Sequence, residues 1–141
     1  MPSSHSFLSG SSVAVFGVSP GRKTFASGIY EALEKAGIKA YRVNPSGDTG
    51  FYNDLDSLPE SAEAVYIATN SQNADKIADL AIAYGAKKIW FQFGSYNKSL
   101  IAKCKDAGME IHTGCLMMYI PDVGLMHRVH RFFHELFAGK P

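Results

Sequence analysis

A chain of 141 residues, 46% hydrophobic and 19% charged, is expected to form one domain, because single domains cluster at roughly 100–150 residues and this much apolar side chain offsets the entropy of ordering the backbone. The 14 Lys and Arg residues against 13 Asp and Glu leave a formal charge of +1, which excludes the basic footprint of a general nucleic-acid binder. No apolar run approaches the roughly 20 residues that span a bilayer, Met1 to Ser12 lacks a signal-peptide pattern, and Cys104 and Cys115 read as thiols, so a cytoplasmic protein without membrane contact is expected.

In chain order, Val13-Ala14-Val15-Phe16 is a short unbroken apolar run ended by Gly17. That pattern suits a strand buried on both faces. A polar loop runs from Val18 to Thr24. Phe25, Ile29, Leu33 and Ala36 then recur at helical spacing, with Gly37 as C-cap. Lys39 to Val43 reads as a second strand ending at Asn44-Pro45. The connection Ser46 to Pro59 carries turn residues (Gly47, Asp48, Gly50, Asn53), a short strand at Phe51-Tyr52 and a helical turn near Leu55. Ala64 to Ala68 is the third strand of the main pattern. Ala74, Ile77, Ala81 and Tyr84 mark a helix ending at Gly85. Lys88 to Phe91 is a strand, Leu100, Ile101, Cys104 and Ala107 mark a helix ending at Gly108, and Met109 to His112 is a strand.

Strands alternating with helices imply βαβ units and a parallel sheet, and right-handed crossovers leave few topologies. The expected architecture is a Rossmann-like doubly wound parallel α/β sheet of about five strands, order 3-2-1-4-5, over about residues 12–115 of a single domain, with a C-terminal helical segment at about 122–138. On that last helix Met126, Val129, Phe133, Leu136 and Phe137 share a face at about 100° per residue, with Arg128, Arg131 and Glu135 opposite. It packs on the body of the domain or forms a homodimer contact. His127, His130 and His134 fall within roughly 60° of arc on it. Three histidines on a stripe can ligate a metal, but these border the apolar face without an acidic or cysteine partner, so packing is the reading and no metal site is expected.

Ligands of open α/β sheets bind outside the carboxyl ends of the strands, at the switch point. That rule nominates Gly17 to Lys23, Asn44-Pro45-Ser46, Ala68-Thr69-Asn70 and Gln92-Phe93-Gly94. None of these carries an acid, base or nucleophile poised for catalysis, so the pocket reads as one that binds, with no catalytic residue assigned. Gly17 and Gly21 do not form the G-x-G-x-x-G fingerprint, and Asn44-Pro45 stands where an NAD site has its ribose-binding acid. A phosphate still suits the first loop. Gly17 allows close backbone approach, the following helix N-terminus is positive, Arg22 and Lys23 add charge, and Ser19, Thr24 and Ser27 add hydroxyls. Trp90 and Phe91 point to opposite faces and read as core. Cys104 reads as core, His112 as packing, and Cys115 as a buried thiol near the pocket mouth. Asp54, Asp56 and Glu60 read as a solvated connection.

The chain resembles the small CoA-binding domain proteins, which are related to the nucleotide-binding domain of the succinyl-CoA synthetase α subunit. The residues that carry the likeness are Ala14 to Ser19, Ser27 to Leu33, Val43-Asn44-Pro45, Leu58-Pro59, Gly85 to Gly94 and Gly114 to Met118. The resemblance implies a fold that binds coenzyme A, or an acyl-CoA, across the four loops. By that likeness Gly17, Ser19, Pro20, Arg22, Lys23 and Ser27 face the phosphates, Asn44 and Pro45 lie near the adenosine, and Ala68, Thr69, Gln92 and Gly94 line the pantetheine path. Thr69-Asn70 departs from the Pro or Arg common after the corresponding strand. The synthetases' phosphohistidine domain has no counterpart here, so the expected role is a carrier, sensor or regulator of a small-molecule nucleotide ligand. The competing readings are an NAD(P)-dependent or nucleotide-processing enzyme and an interaction module with a vestigial pocket.

Overall fold

The computed structural model describes residues 7–8, 12–46 and 49–120. The elements are β1 (Ser12–Phe16), α1 (Phe25–Lys35), β2 (Ala40–Val43), β3 (Phe51–Tyr52), a 3-10 turn (Leu55–Ser57), β4 (Ala62–Ile67), α2 (Ser71–Tyr84), β5 (Lys88–Phe91), α3 (Lys98–Asp106), β6 (Glu110–Thr113) and a second 3-10 turn (Leu116–Tyr119). The expected closing helix with its three histidines, and the turn residues Gly47 and Asp48, lie outside the described residues. Among the described residues no helix is long and apolar enough to cross a membrane.

All six strands form one parallel sheet in the order 3-2-1-4-5-6. This is the Rossmann-like doubly wound arrangement expected, extended by one strand. The strand read as third in sequence, Ala64 to Ala68, is β4 and pairs with β1 across the switch point, while the edge beside β2 falls to the two-residue β3. The reason is the connection after β2. It holds only β3 and the 3-10 turn capped by Asp54, whose carboxylate accepts from Ser57 N–H at 2.9 Å, so the chain returns over β1 without a crossover helix on that side.

The sheet is buried on both faces, and strand alternation divides the core. Val13, Val15, Tyr66 and Trp90 face α1, with its Ile29 and Leu33. Ala14, Phe16, Val65, Ile67, Ile89 and Phe91 face α2 and α3. Trp90 and Phe91 therefore lie on opposite sides, as the period of two requires. Ala74, Ala78 and Ala81 give α2 a face of small residues against the sheet, and Gly85 ends the helix in a left-handed cap. Lys103 ties α3 to α2 through Asp75 at 2.6 Å and Asp79 at 2.7 Å, and these carboxylates raise its pKa. Cys104 is buried in the core, and burial pushes its thiol up. At the other edge Phe7 packs edge-on against Trp90 and His112, with ring centroids 5.3 and 5.7 Å away. The 3-10 turn after β6 sends Leu116 and Met117 into the α1-side core.

Ile89 is fully buried between β4 and β6. Ile89→Ala is expected to cost about 2–5 kcal/mol, as transfer and cavity terms add, read as a lower urea midpoint at constant m-value.

Candidate functional site

The loop after β1 is closed by its own residues. Gly17 has φ +120°, and a Cβ there would collide with the Ala68 carbonyl oxygen at the end of β4 and crowd Ala26 of α1. Only glycine lets β1 deliver its loop this close to β4. Thr24, the N-cap of α1, donates to the Gly17 carbonyl at 3.1 Å and accepts from Ser27 N–H at 3.2 Å. The Ser27 hydroxyl accepts from Thr24 N–H and donates to the Thr24 carbonyl, both at 2.7 Å. It is thereby committed to a capping box that satisfies part of the helix N-terminus expected to be open to an anion. Between these ties, Ser19-Pro20-Gly21-Arg22 makes a tight turn closed by Arg22 N–H on the Ser19 carbonyl at 3.3 Å.

Asn44 locks β2 to this loop. Its side-chain amide donates to the Val18 carbonyl at 3.0 Å, its side-chain oxygen accepts from Ser46 N–H at 2.8 Å, and its backbone N–H donates to the Tyr52 carbonyl at 2.9 Å. It is a positioning residue for two nominated segments at once. The third segment is braced from β5. Thr69 N–H donates to the Ser95 hydroxyl at 3.1 Å, and Ser95 N–H donates to the Gln92 carbonyl at 3.0 Å.

A cavity of about 620 Å³ opens at these strand ends. It brings together Gly17, Ser19, Arg22, Asn44, Pro45, Ala68 and Thr69. Lys23 and Ser27 instead line a second cavity of about 540 Å³, which Arg22 shares. Pro20, Gln92 and Gly94 line neither. Gln92 is buried, and its side-chain oxygen accepts from the Tyr66 hydroxyl at 2.7 Å. Burial, and secondarily Cys115, hold that phenol well above its usual pKa, so it stays a donor. Trp90 is likewise occupied, donating to the Gly114 carbonyl at 2.9 Å and stacked on His112. Phe93 is exposed.

The main cavity also holds residues that no motif pointed to. Asn53, Asp54 and Asp56 come from the β3–β4 connection, and Asn73, Lys76, Ile77 and Leu80 from α2. Asp54 and Asp56 are thus exposed, as expected for a connection, yet line a pocket. Leu80, 57% exposed, supplies an apolar surface with Ile77 and Ala83. Among the described residues neither Arg22 nor Lys76 has an ion-pair partner, and no cluster of three metal-ligating side chains occurs. The set is two cations, several hydroxyl and amide groups, two carboxylates and an apolar wall. It fits an anionic nucleotide. Cations meet phosphates, carboxylates accept from sugar hydroxyls, and the apolar wall accepts the face of a base.

Comparison with known proteins points the same way. Residues 11–121 match the family model described as "CoA binding domain". The fold is similar to that of Prb, a PH1109 protein redesigned for binding, with a TM-score of 0.72 and 23% identity over 100% of this chain and 96% of that one. A hypothetical protein from Pyrococcus horikoshii OT3 is similar with a TM-score of 0.72 and 25% identity over 92% of this chain and 89% of that one. The apo dinucleotide forming acetyl-coenzyme A synthetase 1 of Ca. Korarchaeum cryptofilum aligns with a TM-score of 0.64 and 23% identity over 74% of this chain but only 26% of its own.

Asn44→Ala removes the donor to Val18 and the acceptor for Ser46 together. It is expected to cost about 1–3 kcal/mol in chemical unfolding, and to speed amide exchange in the loop after β1 beyond that of α3.

Proposed function

The chain belongs to the CoA-binding domain family, and on that premise we propose that the main cavity binds coenzyme A or an acyl-CoA, with the protein acting as a carrier, sensor or regulator. One observation carries the reading. The cavity lies at the carboxyl ends of β1, β2 and β4, at the switch point, with Gly17 drawn tight against β4 and Arg22 on the same loop. Pockets at such switch points take nucleotides. In this reading Gly17, Ser19 and Arg22 meet the diphosphate, joined by Lys76 of α2. Ile77 and Leu80 offer the adenine an apolar surface. Asn44 acts by holding the loop, and Gln92 by bracing the Thr69 segment, rather than by touching the ligand. The free thiols of Cys104 and Cys115 agree with the cytoplasmic location proposed.

Thermal unfolding with CoA, acetyl-CoA, NAD, NADP and ATP tests this. CoA or acetyl-CoA at a hundred times its Kd is expected to add about 2.7 kcal/mol of apparent stability, with smaller shifts from the other nucleotides. Arg22→Ala with Lys76→Ala, both at exposed positions, is expected to weaken binding at least tenfold without lowering the unliganded midpoint. No shift with any CoA species, or an equal shift with NAD, overturns the reading. Gln92→Ala is expected to cost about 1–3 kcal/mol by orphaning the Tyr66 hydroxyl while leaving CoA affinity within twofold.

A further inference from the structure

β6 is the outermost strand of the sheet, at the end opposite β3. The backbone N–H groups of Glu110 and Gly114 donate inward, to the Lys87 carbonyl at 2.9 Å and the Phe91 carbonyl at 3.1 Å. Backbone groups alternate in direction along a strand. Ile111 and Thr113 therefore present their N–H and C=O groups outward, and among the described residues no strand pairs with them. The edge contains no proline, lysine or bulge, the devices that keep free edges apart. β3, at the other end, has two residues, too few for a ladder of its own. Apolar side chains flank the β6 edge. Ile111 is half-buried on the α3 side of the sheet, and so is Ile101 of α3. Lys103 is tied to α2. At about 100° per residue Ile101 lies roughly 160° round α3 from it, and so faces away from α2, toward the edge. On the α1 side His112 stacks on Trp90 with ring centroids 5.1 Å apart, and its Nε2 lies 2.7 Å from the Glu110 carboxylate.

We propose that β6 pairs antiparallel with β6 of a second copy of this chain, about a twofold axis at residue 112, joining two six-stranded sheets into one. The free groups set the register. An axis at residue 112 puts Ile111 opposite the partner's Thr113, and Thr113 opposite the partner's Ile111. Both are then hydrogen-bonded pairs, each exchanging two bonds. An axis at residue 111 would instead call on Met109, whose N–H is already given to the Cys104 carbonyl at 3.1 Å. With the axis at residue 112, Glu110 lies opposite the partner's Gly114, which has no side chain to crowd it. Ile111 and Thr113 form a β-branched cross-strand pair beside Ile101. Only one edge of each copy is long enough to pair, so the contact is isologous and closes as a dimer instead of continuing into a fibre. Strand direction reverses across the axis. The main cavities, built at the ends of β1, β2 and β4, therefore open toward opposite sides of the dimer and stay clear of the contact.

Sedimentation velocity of the full chain over a concentration series, with residue-resolved amide exchange, tests this. The wild type is expected to dimerise, and the Ile111 and Thr113 amides to exchange at least tenfold more slowly in the dimer than in the dilute monomer. Thr113→Pro removes an outward donor and leaves the ladder to β5 intact, since proline is tolerated on an edge strand where the N–H faces out. Thr113→Lys, at an exposed position, sets a charge against the partner's Ile111. Each is expected to weaken self-association at least tenfold, with the unfolding midpoint of the dilute monomer unchanged. Should Thr113→Pro fail to fold, Thr113→Lys decides alone. A wild type that stays monomeric at every concentration overturns the proposal. So does a dimer that persists undiminished in folded Thr113→Lys, or one whose Ile111 and Thr113 amides exchange as fast as in the monomer, since its contact then lies elsewhere on the chain.

Discussion

The contact between Gly17 and the end of β4 is the constraint on which the rest of this molecule depends. Because residue 17 has no Cβ, the chain leaving β1 turns beside the Ala68 carbonyl instead of rising over it. That choice sets the floor of the main cavity and the entry angle of α1, whose Ala26 packs against the same point. Every other tie is secondary to it. Thr24 reaches back to the Gly17 carbonyl, and Asn44 reaches from β2 to the Val18 carbonyl. Each fixes a loop whose position the glycine has already allowed. Ties from three elements restrain this polar loop, and restraint of a binding loop reduces the ordering cost of binding.

The same geometry distributes charge. The near-neutral total of the chain conceals a local separation. Arg22 and Lys76 approach the main cavity from the β1 loop and from α2, while Asp54 and Asp56 approach from the β3–β4 connection. Cations and carboxylates in one cavity do not cancel when each meets a different part of a ligand. A nucleotide offers phosphate oxygens to one set and sugar hydroxyls to the other, whereas a simple anion gains from the cations and is repelled by the carboxylates. The arrangement therefore favours a ligand long enough to use both.

Much of the fold was legible in the sequence because its determinants are local. The apolar run Val13 to Phe16, the helical spacing of Ile29 and Leu33, and the stop at Gly85 each sit within a few residues of the element they specify. The sheet order followed from the alternation of elements and the handedness of crossovers. β3, legible as a short strand at Phe51-Tyr52, was given no place in that order, since two residues carry too little pattern to compete for one. The strand-end rule likewise found Gly17, Arg22, Asn44 and Thr69 at the main cavity. What it could not find were side chains brought in by long-range packing. Lys76 and Leu80 lie in the second and third turns of α2 on a face set by how the alanine side seats on the sheet, and Asp54 arrives through a connection that lacks a crossover helix. Gln92 shows the converse, a strand-end residue with a packing role that sequence does not reveal. Its place at a strand end suggested ligand contact, but a buried tyrosine hydroxyl needs an acceptor, and Gln92 meets that need.

Arg42 shows how far such reasoning reaches. In sequence it is a polar member of the second strand, one residue before Val43. In the fold its guanidinium lies against an aromatic residue of α1 and one of the two-residue β3. Neither ring alone would hold it, because an exposed cation–π contact contributes only about 0.5–1 kcal/mol, less than the rotamer freedom a long basic side chain loses on being fixed. Two rings and the Gly50 carbonyl together can offset that loss. The short β3 thus has a use beyond extending the sheet. It carries Phe51 and the chain after Gly50 to the side of Arg42, and so couples the least regular part of the fold to the second cavity, which Arg42 also lines.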